Sequence, residues 1–308
     1  MNDIYRRQVA LLIRVMPLVF KIEDFAVHGG TAINLFYRNL PRYSVDIDVT
    51  YIPLEDRNTS LVKINSHLSE LKTAIEKSVP GIRVIHRPDV WKLQCAKDGA
   101  TIKIEVNGVK RGILGEAEKM QLCERAKAEF GLSCFANIVP WSQLFGGKIV
   151  AALSRQHPRD LFDCRGVTPD DFEAVKNGFL LCLLGSDKPI IESLNPNLID
   201  QQAALDNQFE GMTDESFDYE DYQKARLNLI EVVNQCLTAA DKEFLITFEE
   251  GNPDWSKCCA GDLSNYPSVI WKLRNIAKFK STYPAKHQAG VDKLIDYYYC
   301  PLNFFGGR

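Results

Sequence analysis

The feature that most constrains this chain is a glycine pair, Gly29-Gly30, followed by two aspartates in the segment Val45-Asp46-Ile47-Asp48-Val49. Glycine has no Cβ, so a turn at Gly29-Gly30 can approach a phosphate group closely. Alternate residues of a strand lie on one face, so Asp46 and Asp48 point the same way. Their charges repel unless a cation lies between them, and proteins hold Mg²⁺ with carboxylates and substrate phosphates. The two segments therefore predict a site for a magnesium-bound nucleoside triphosphate.

The residues after the glycines predict a helix over 31–38. The first N–H groups of a helix have no partner inside it, and the helix dipole is positive at that end. Both properties favour an anion beside the glycine pair.

These segments resemble the AbiEii-type nucleotidyltransferase toxins, which belong to the DNA polymerase β-like nucleotidyltransferase superfamily. The resemblance rests on residues 28–35 and 41–48, in which a Gly-Gly turn precedes Asp-x-Asp. A second family motif with Lys, Arg and Asp corresponds to residues 148–155 and 159–163. The superfamily often has Gly-Ser where this chain has Gly-Gly-Thr. The blocks match in order and spacing and frame roughly the N-terminal half.

The resemblance implies two overlapping sets of site residues. The nucleotide-binding set is Gly29, Gly30, Thr31, Arg42, Ser44, Lys148 and Arg155. The catalytic set is Asp46, Asp48, Glu105, Lys148 and Asp160, of which Asp46, Asp48 and Glu105 would hold a two-metal magnesium site. Ser44 could instead simply end a turn.

Glu105 is the predicted third carboxylate because it lies in an alternating strand, Ile102-Lys103-Ile104-Glu105-Val106. Pairing of this strand beside the aspartate strand would bring Glu105 to Asp46 and Asp48. The alternative is a solvent-facing Glu105 that pairs with Lys103.

Lys148 and Arg155 are seven residues apart on a predicted helix and therefore share a face. A lysine that reaches the triphosphate would stabilise the charge that develops on the leaving pyrophosphate. Arg155 could contact a phosphate or fix Asp160 or Asp163, and Asp163 is interpreted as a cap or ion-pair partner. The alternative is that both cations lie on the surface with their stems packed along it.

The order of elements predicts an α+β fold: a nucleotidyltransferase-fold domain with a mixed β-sheet flanked by helices, over 1–167, and a mostly helical C-terminal domain, over 168–308. Period-two alternation and turn signals predict the strands, over 25–28, 44–52, 82–86, 91–96 and 101–107. Helical spacing predicts the main helices, over 4–20, 31–37, 56–79, 114–127, 140–155, 170–184 and 222–239.

The formal net charge of −3 conceals an uneven distribution. Residues 1–165 carry 24 Lys and Arg against 18 Asp and Glu, a balance of +6, whereas residues 166–308 carry 13 against 22, a balance of −9. A basic half that contains the glycine and aspartate motif suits a triphosphate and an RNA end. The alternative is that both halves merely expose solvated charges.

Cysteine and histidine spacing argues against a metal cluster of the zinc type. Nine cysteines form no CxxC pair, and five histidines form no HxH or HExxH cluster. Reduced thiols favour a cytoplasmic location. No apolar run reaches the roughly 18 residues of a membrane span, so we expect no membrane partner. Residues 9–20 are apolar, but Arg14 interrupts them and no cleavage site follows, which favours an amphipathic helix over a signal peptide.

The resemblance implies a toxin that transfers a nucleoside monophosphate from an NTP to an RNA acceptor, with the 3′ end of a tRNA as the expected site, and arrests growth. It also implies a genetically linked antitoxin that acts without a stable complex. One alternative keeps the fold and transfers the nucleotide to a protein or small-molecule hydroxyl. Another is a nucleotide-binding regulatory module without turnover, although two retained repelling acids argue against it.

Overall fold

The computed structural model of the chain describes residues 2–300. The chain divides into two compact units. The first comprises Met1–Leu144 with Gln201–Glu220, and the second comprises Phe145–Asp200 with Asp221–Arg308.

The first unit is built on a mixed seven-stranded sheet in the order β3-β4-β5-β2-β1-β7-β6. Its strands are β1 (Phe25–His28), β2 (Asp46–Tyr51), β3 (Arg83–Arg87), β4 (Lys92–Lys97), β5 (Ala100–Val106), β6 (Glu118–Gln121) and β7 (Phe135–Ile138). Its helices are α1 (Asp3–Val19), α2 (Gly29–Ala32), α3 (Arg57–Ser78), α4 (Glu124–Phe130) and α9 (Gln202–Ala204). Helix α2 continues as a π-helical turn over Ile33–Tyr37, and α9 continues as another over Leu205–Phe209.

Alternation of apolar and polar residues decides which face of this sheet is buried. Ile47, Val49, Ile102 and Ile104 are fully buried, whereas the residues between them are exposed or half-buried. Helices α1 and α3 pack on this part of the sheet and on each other. Burial of these branched side chains stabilises the unit by roughly 1.5–3 kcal/mol for each side chain. The opposite face keeps the polar residues, including both aspartates.

Among the described residues of the second unit, the regular secondary structure is helical. Its helices are α5 (Trp141–Arg155, which begins in the first unit), α6 (Pro158–Cys164), α7 (Pro169–Leu184), α8 (Ile190–Leu194), α10 (Tyr219–Cys236, likewise begun in the first unit), α11 (Ala239–Glu249), α12 (Pro267–Thr282) and α13 (Pro284–Tyr299). A 3₁₀ turn covers Trp255–Lys257. The starts of α7 and α11 are fixed by capping boxes, Thr168 with Asp171 and Thr238 with Asp241.

The predicted α+β class is confirmed, since a mixed sheet with flanking helices is accompanied by a helical unit. The prediction of one helix over 114–127 is wrong: this stretch contains the edge strand β6, and α4 begins only at Glu124. Strand β7 was not predicted. Among residues 2–300, none of the helices has both the length and the apolar composition required to cross a membrane.

The division into compact units differs from the predicted boundary near residue 167. It falls inside α5, after Leu144, and Gln201–Glu220 returns to the first unit. Compactness does not decide which residues carry the activity, so the assignment of 1–167 as the nucleotidyltransferase domain stays a prediction.

Close packing of α5 on α7 generates a stability prediction. A Cβ on Gly146 would lie 2.1 Å from the backbone nitrogen of Phe179. Because backbone cannot yield as a flexible side chain does, we expect Gly146→Ala to lower the free energy of unfolding by about 3 kcal/mol. The matched control is Gly290→Ala in α13, where a Cβ would meet nothing within 4 Å. Urea denaturation should show the control unchanged or up to about 1 kcal/mol more stable; equal effects would contradict the packing argument.

Candidate active site

Strand pairing brings the predicted carboxylates together in the first unit. Strands β1 and β2 are antiparallel, with His28 opposite Asp48, and β2 and β5 are parallel, with Glu105 opposite Asp48. Opposite residues of neighbouring strands project from the same face, and the strands are about 4.8 Å apart. Asp46 lies two positions before Asp48 and therefore on that face as well. The predicted placement of β5 beside β2 is confirmed.

The two glycines lie so close to Asp48 and to the loop residues Arg42 and Ser44 that a side chain on either glycine would clash. Gly29 has a φ of +73°, and a Cβ there would lie 2.6 Å from Oδ2 of Asp48. A Cβ on Gly30 would lie 2.7 Å from Nη2 of Arg42 and 2.8 Å from Oγ of Ser44. Gly29 thus needs both its left-handed backbone and its missing side chain. The glycine turn, the loop residues and Asp48 form one contiguous group, as the sequence predicted.

Thr31 and Arg42 are buried, and their side chains form hydrogen bonds within this group. The Thr31 hydroxyl donates to the backbone carbonyl of Asp46 at 2.5 Å and is 3.1 Å from the Ser44 hydroxyl. Arg42 is only 2% exposed, and its Nη1 donates to the carbonyl of Tyr43 at 2.8 Å. The Thr31 hydroxyl therefore ties the glycine turn to the start of β2, which positions Asp46. Nucleotide contacts by Thr31, Arg42 and Ser44 stay a prediction.

A distant segment holds the loop that carries Arg42. Arg42 forms an isolated antiparallel bridge with Thr213. The Thr213 hydroxyl donates to the carbonyl of Pro41 at 2.8 Å, and the Tyr43 N–H donates to the carbonyl of Met212 at 2.7 Å. Thr213 was not among the residues predicted from the sequence. No local signal could have identified it, because Thr213 and Pro41 are 172 positions apart.

Glu105 is held by a lysine of the neighbouring strand. Its Oε1 lies 2.7 Å from Nζ of Lys92, which is directly opposite on β4. The alternative interpretation paired Glu105 with Lys103, but residues two apart along a strand are separated by about 6.6 Å, more than cross-strand neighbours. Within residues 2–300, no group of three or more His, Cys, Asp or Glu side chains could hold a metal ion by itself. The role of Glu105 as third metal ligand stays a prediction.

His28 ends β1 beside Asp48, and its position suits a packed strand-end histidine. Its Nδ1 lies 2.9 Å from the Thr50 hydroxyl, which projects from the same face of β2. This contact orients the imidazole along the sheet.

The second family motif forms a buried ion cluster in the second unit. Nζ of Lys148 lies 2.9 Å from Oδ1 of Asp160 and 3.1 Å from Oδ2 of Asp163, and all three side chains are almost completely buried. Arg155, whose side chain is 65% exposed, contacts the other oxygen of Asp160 at 2.7 Å. The interpretation of Lys148 as a surface cation is wrong. The ion-pair interpretation of Asp163 is confirmed.

Burial alone would raise the pKa of Asp160, but the charges of Lys148 and Arg155 outweigh burial and lower this pKa below its usual value. Asp160 is therefore a carboxylate at neutral pH, and its charge is matched inside the cluster.

The turn between α5 and α6 gives the cluster its shape. Gln156 has a φ of +51°, which is unusual for a residue with a side chain, and His157 caps α6 by accepting from the N–H of Arg159 at 3.1 Å. The Tyr222 hydroxyl donates to the Gln156 carbonyl, and Arg226 donates to the Gln156 side chain. These contacts fix the turn that carries Asp160 back toward Lys148.

Comparison with protein families identifies the class of protein. Residues 10–258 match the family described as nucleotidyl transferase AbiEii toxin, type IV TA system. The match covers well over half of the chain, so the chain belongs to the AbiEii nucleotidyltransferase toxin family. It is a nucleotidyltransferase, and its substrate is a nucleoside triphosphate. The family acts within type IV toxin–antitoxin systems, which include an antitoxin.

Structural comparison agrees with this assignment at the level of the fold. MenT4, a nucleotidyltransferase toxin from Mycobacterium tuberculosis H37Rv, is similar with a TM-score of 0.56. The two sequences are 13% identical, and the alignment covers 88% of this chain and 93% of that chain. Comparison with curated protein sequences gives no significant match.

Contact between Gly29 and Asp48 generates a prediction about nucleotide binding. In Gly29→Ala the new methyl group would displace the Asp48 carboxylate, so we expect affinity for an NTP with Mg²⁺ to fall by about tenfold or more, which is 1.4 kcal/mol. The matched control is Gly99→Ala, which has a φ of +78° and no atom within 4 Å of the new Cβ. Both variants should lose roughly 1–2 kcal/mol of stability from backbone strain. Calorimetric titration should separate them; equal affinities would contradict the steric argument.

The ion cluster generates a prediction about stability and pH. Lys148→Met would leave two buried carboxylates and should cost about 3–5 kcal/mol, whereas Asp160→Asn leaves Lys148 paired with Asp163 and should cost less. Because the pKa of Asp160 is lower in the folded state, its stabilising contribution is present above the unfolded value of 3.8 and is lost as pH falls through the folded pKa. The stabilities of wild type and Asp160→Asn in urea denaturation should therefore begin to converge below about pH 4. A constant difference from pH 7 to 3 would contradict the assignment.

Proposed function

We propose that this nucleotidyltransferase toxin transfers a nucleoside monophosphate from an NTP, in a magnesium-dependent reaction, to the 3′ end of an RNA, and that the acceptor is a tRNA. The observation that carries the proposal is the contact between the Gly29-Gly30 turn and Asp48, with Asp46 on the same strand face. A phosphate that approaches the glycines would lie directly beside two carboxylates, which is the arrangement that metal-assisted phosphoryl chemistry requires.

The residues present fit magnesium. Asp46 and Asp48 lie two positions apart on one strand face, and the space beside Asp48 is one that a Cβ on Gly29 would fill. Mg²⁺ usually takes one or two protein carboxylates and completes its shell with phosphate oxygens and water, so the absence of a complete protein cage is compatible with it. When bound, the metal would offset phosphate charge and polarise the phosphorus under attack. Glu105 is the proposed third carboxylate: strand pairing places it opposite Asp48, and Lys92 contacts its Oε1.

The chain's own residues would orient the reactants. The glycine turn would admit the triphosphate, and the Arg42 and Ser44 side chains lie beside the position that a Cβ on Gly30 would occupy. The acceptor hydroxyl oxygen attacks the α-phosphorus, the bond to the bridging oxygen of the pyrophosphate breaks, and pyrophosphate leaves. The hydroxyl proton passes to a carboxylate or to water. Positioning and charge compensation supply most of the acceleration in reactions of this type.

We also propose that Lys148, Arg155 and Asp160 contribute to nucleotide binding and catalysis, as the family motif implies. Lys148 is held between two carboxylates, so its ammonium group has a fixed position. Arg155 keeps its exposed guanidinium at a defined place through Asp160. A fixed cation needs no reorganisation when charge develops on a leaving group.

RNA is the favoured acceptor for two reasons. The family consists of toxins of type IV systems, and the half of the chain with the aspartates carries a balance of +6. We therefore expect expression without the antitoxin to slow growth, and we expect the genetically linked antitoxin to act without a stable complex with this cytoplasmic protein. A protein or small-molecule hydroxyl is the second acceptor class, and a regulatory module without turnover is the third interpretation.

Replacement of one metal-binding oxygen tests the proposal. Asp48→Asn keeps the size of the side chain and removes its charge, so we expect loss of at least about 10³-fold in transfer with little change in melting temperature. The measurement is transfer from each labelled NTP to purified tRNA in the presence of Mg²⁺. The matched control is Asp98→Asn in the β4–β5 turn, whose side chain is 83% exposed, and it should behave as wild type.

The same assay separates the alternatives. Label on protein alone would replace RNA with a protein acceptor, and label on no acceptor despite tight NTP binding would favour the regulatory module. Near wild-type turnover by Asp48→Asn would show that the carboxylates do not hold a catalytic metal.

A further inference from the structure

The strands beside the aspartates present an open polar face. On β3, β4 and β5 the apolar residues Val84, Leu93, Cys95, Ile102 and Ile104 are buried on the side of α1 and α3. The alternate residues project from the opposite face, which is also the face of Asp46 and Asp48. The exposed members of this face are Arg83, Ile85, Arg87, Gln94 and Lys103.

Strand register arranges these side chains, apart from Arg83, in two rows that lead away from the aspartates; Arg83 is opposite Ala96 on β4. In the first row Asp46 is opposite Lys103, Lys103 is opposite Gln94, and Gln94 is opposite Ile85. The second row continues from Asp48 through Glu105 and Lys92 to Arg87. Strands are about 4.8 Å apart, so the rows extend for about 14 Å from β2 to β3.

Charge on this face is biased toward cations. Beyond the two aspartates it carries Arg83, Arg87, Lys92 and Lys103 against one anion, Glu105, which Lys92 already neutralises. Arg87 has a long contact of 3.6 Å with Asp89. Arg83 and Lys103 are exposed and have no ion-pair partner among residues 2–300. Without the two aspartates, this face therefore has four cations against one anion and retains positive charge next to the site.

We propose that this face, defined by Arg83, Arg87, Gln94 and Lys103, binds the phosphates of the acceptor RNA immediately before its 3′ hydroxyl. The proposal rests on the proposed function. Lys103 is opposite Asp46 on the neighbouring β-strand. An RNA backbone phosphate bound to Lys103 would therefore place the 3′ end of the RNA at the aspartates. Lysine and arginine contacts to phosphate fix register without reading bases, so this face would accept many sequences. An acidic protein surface is the competing occupant.

The decisive variants change Lys103. Lys103→Gln removes one contact with a phosphate, and Lys103→Glu replaces the positive charge with a negative one. The affinity for the NTP should stay unchanged in both variants. We expect the acceptor KM to rise several-fold for Gln and further for Glu, and the slope of log binding constant against log salt to fall by about one for Gln. The matched control is Lys77→Glu on the exposed side of α3, on the other side of the sheet, which should leave acceptor KM and salt slope unchanged.

Three outcomes test the proposal. Thermal melting checks that each variant folds, and Lys103→Gln alone is used if Lys103→Glu does not fold. Wild-type transfer to RNA with a raised acceptor KM and reduced salt slope in Lys103→Gln supports the proposal. Wild-type transfer to RNA with both quantities unchanged in Lys103→Gln overturns the proposal and leaves the proposed function standing. No transfer to RNA by the wild type overturns both.

Discussion

The first unit depends on one constraint, the antiparallel pairing of β1 with β2. This pairing places His28, the last residue of β1, opposite Asp48. The chain leaves the sheet at the next residue, Gly29, which lies directly against the Asp48 carboxylate. Glycine is the residue that avoids strain there, because the backbone is left-handed and the Asp48 oxygen occupies the space of a Cβ. The same turn starts α2, and Thr31 ties it back to Asp46. A phosphate that approached the glycines would consequently lie beside the aspartates, with no further rearrangement of the chain.

Much of this arrangement could be predicted because its determinants are local. The bounds of β1 agree with the prediction, and β2 to β5 differ from it by two residues or fewer at each end. Alternation of buried and exposed residues is visible in the sequence, and it fixes which side chains share a face. Once β5 pairs with β2, the same alternation places Glu105 in register with Asp48.

The failures have two physical causes: an exposed edge strand has no periodic signal, and the other deciding contacts join residues that are distant in sequence. Strand β6 lies at the sheet edge with no buried residue, so it has no periodic signal and resembles the start of a helix. Thr213 secures the Arg42 loop from 172 positions beyond Pro41. Lys92 binds Glu105 because cross-strand neighbours are nearer than residues two apart on one strand. Pairing partners of this kind are decided by the fold and leave no mark on either segment alone.

The two charged clusters handle their charge in opposite ways. In the second unit, the positive charges of Lys148 and Arg155 match the negative charges of Asp160 and Asp163, so the charges of the cluster compensate one another. In the first unit, Asp48 has no ion-pair partner among residues 2–300. The nearby cations Lys103 and Lys92 lie on the same sheet face, on the strands β5 and β4 beyond β2. A carboxylate with this environment stays hydrated until a cation arrives, whereas a buried ion pair must form as the chain folds. Substitutions in the second cluster should therefore act first on folding, and substitutions at Asp48 should act first on ligand binding.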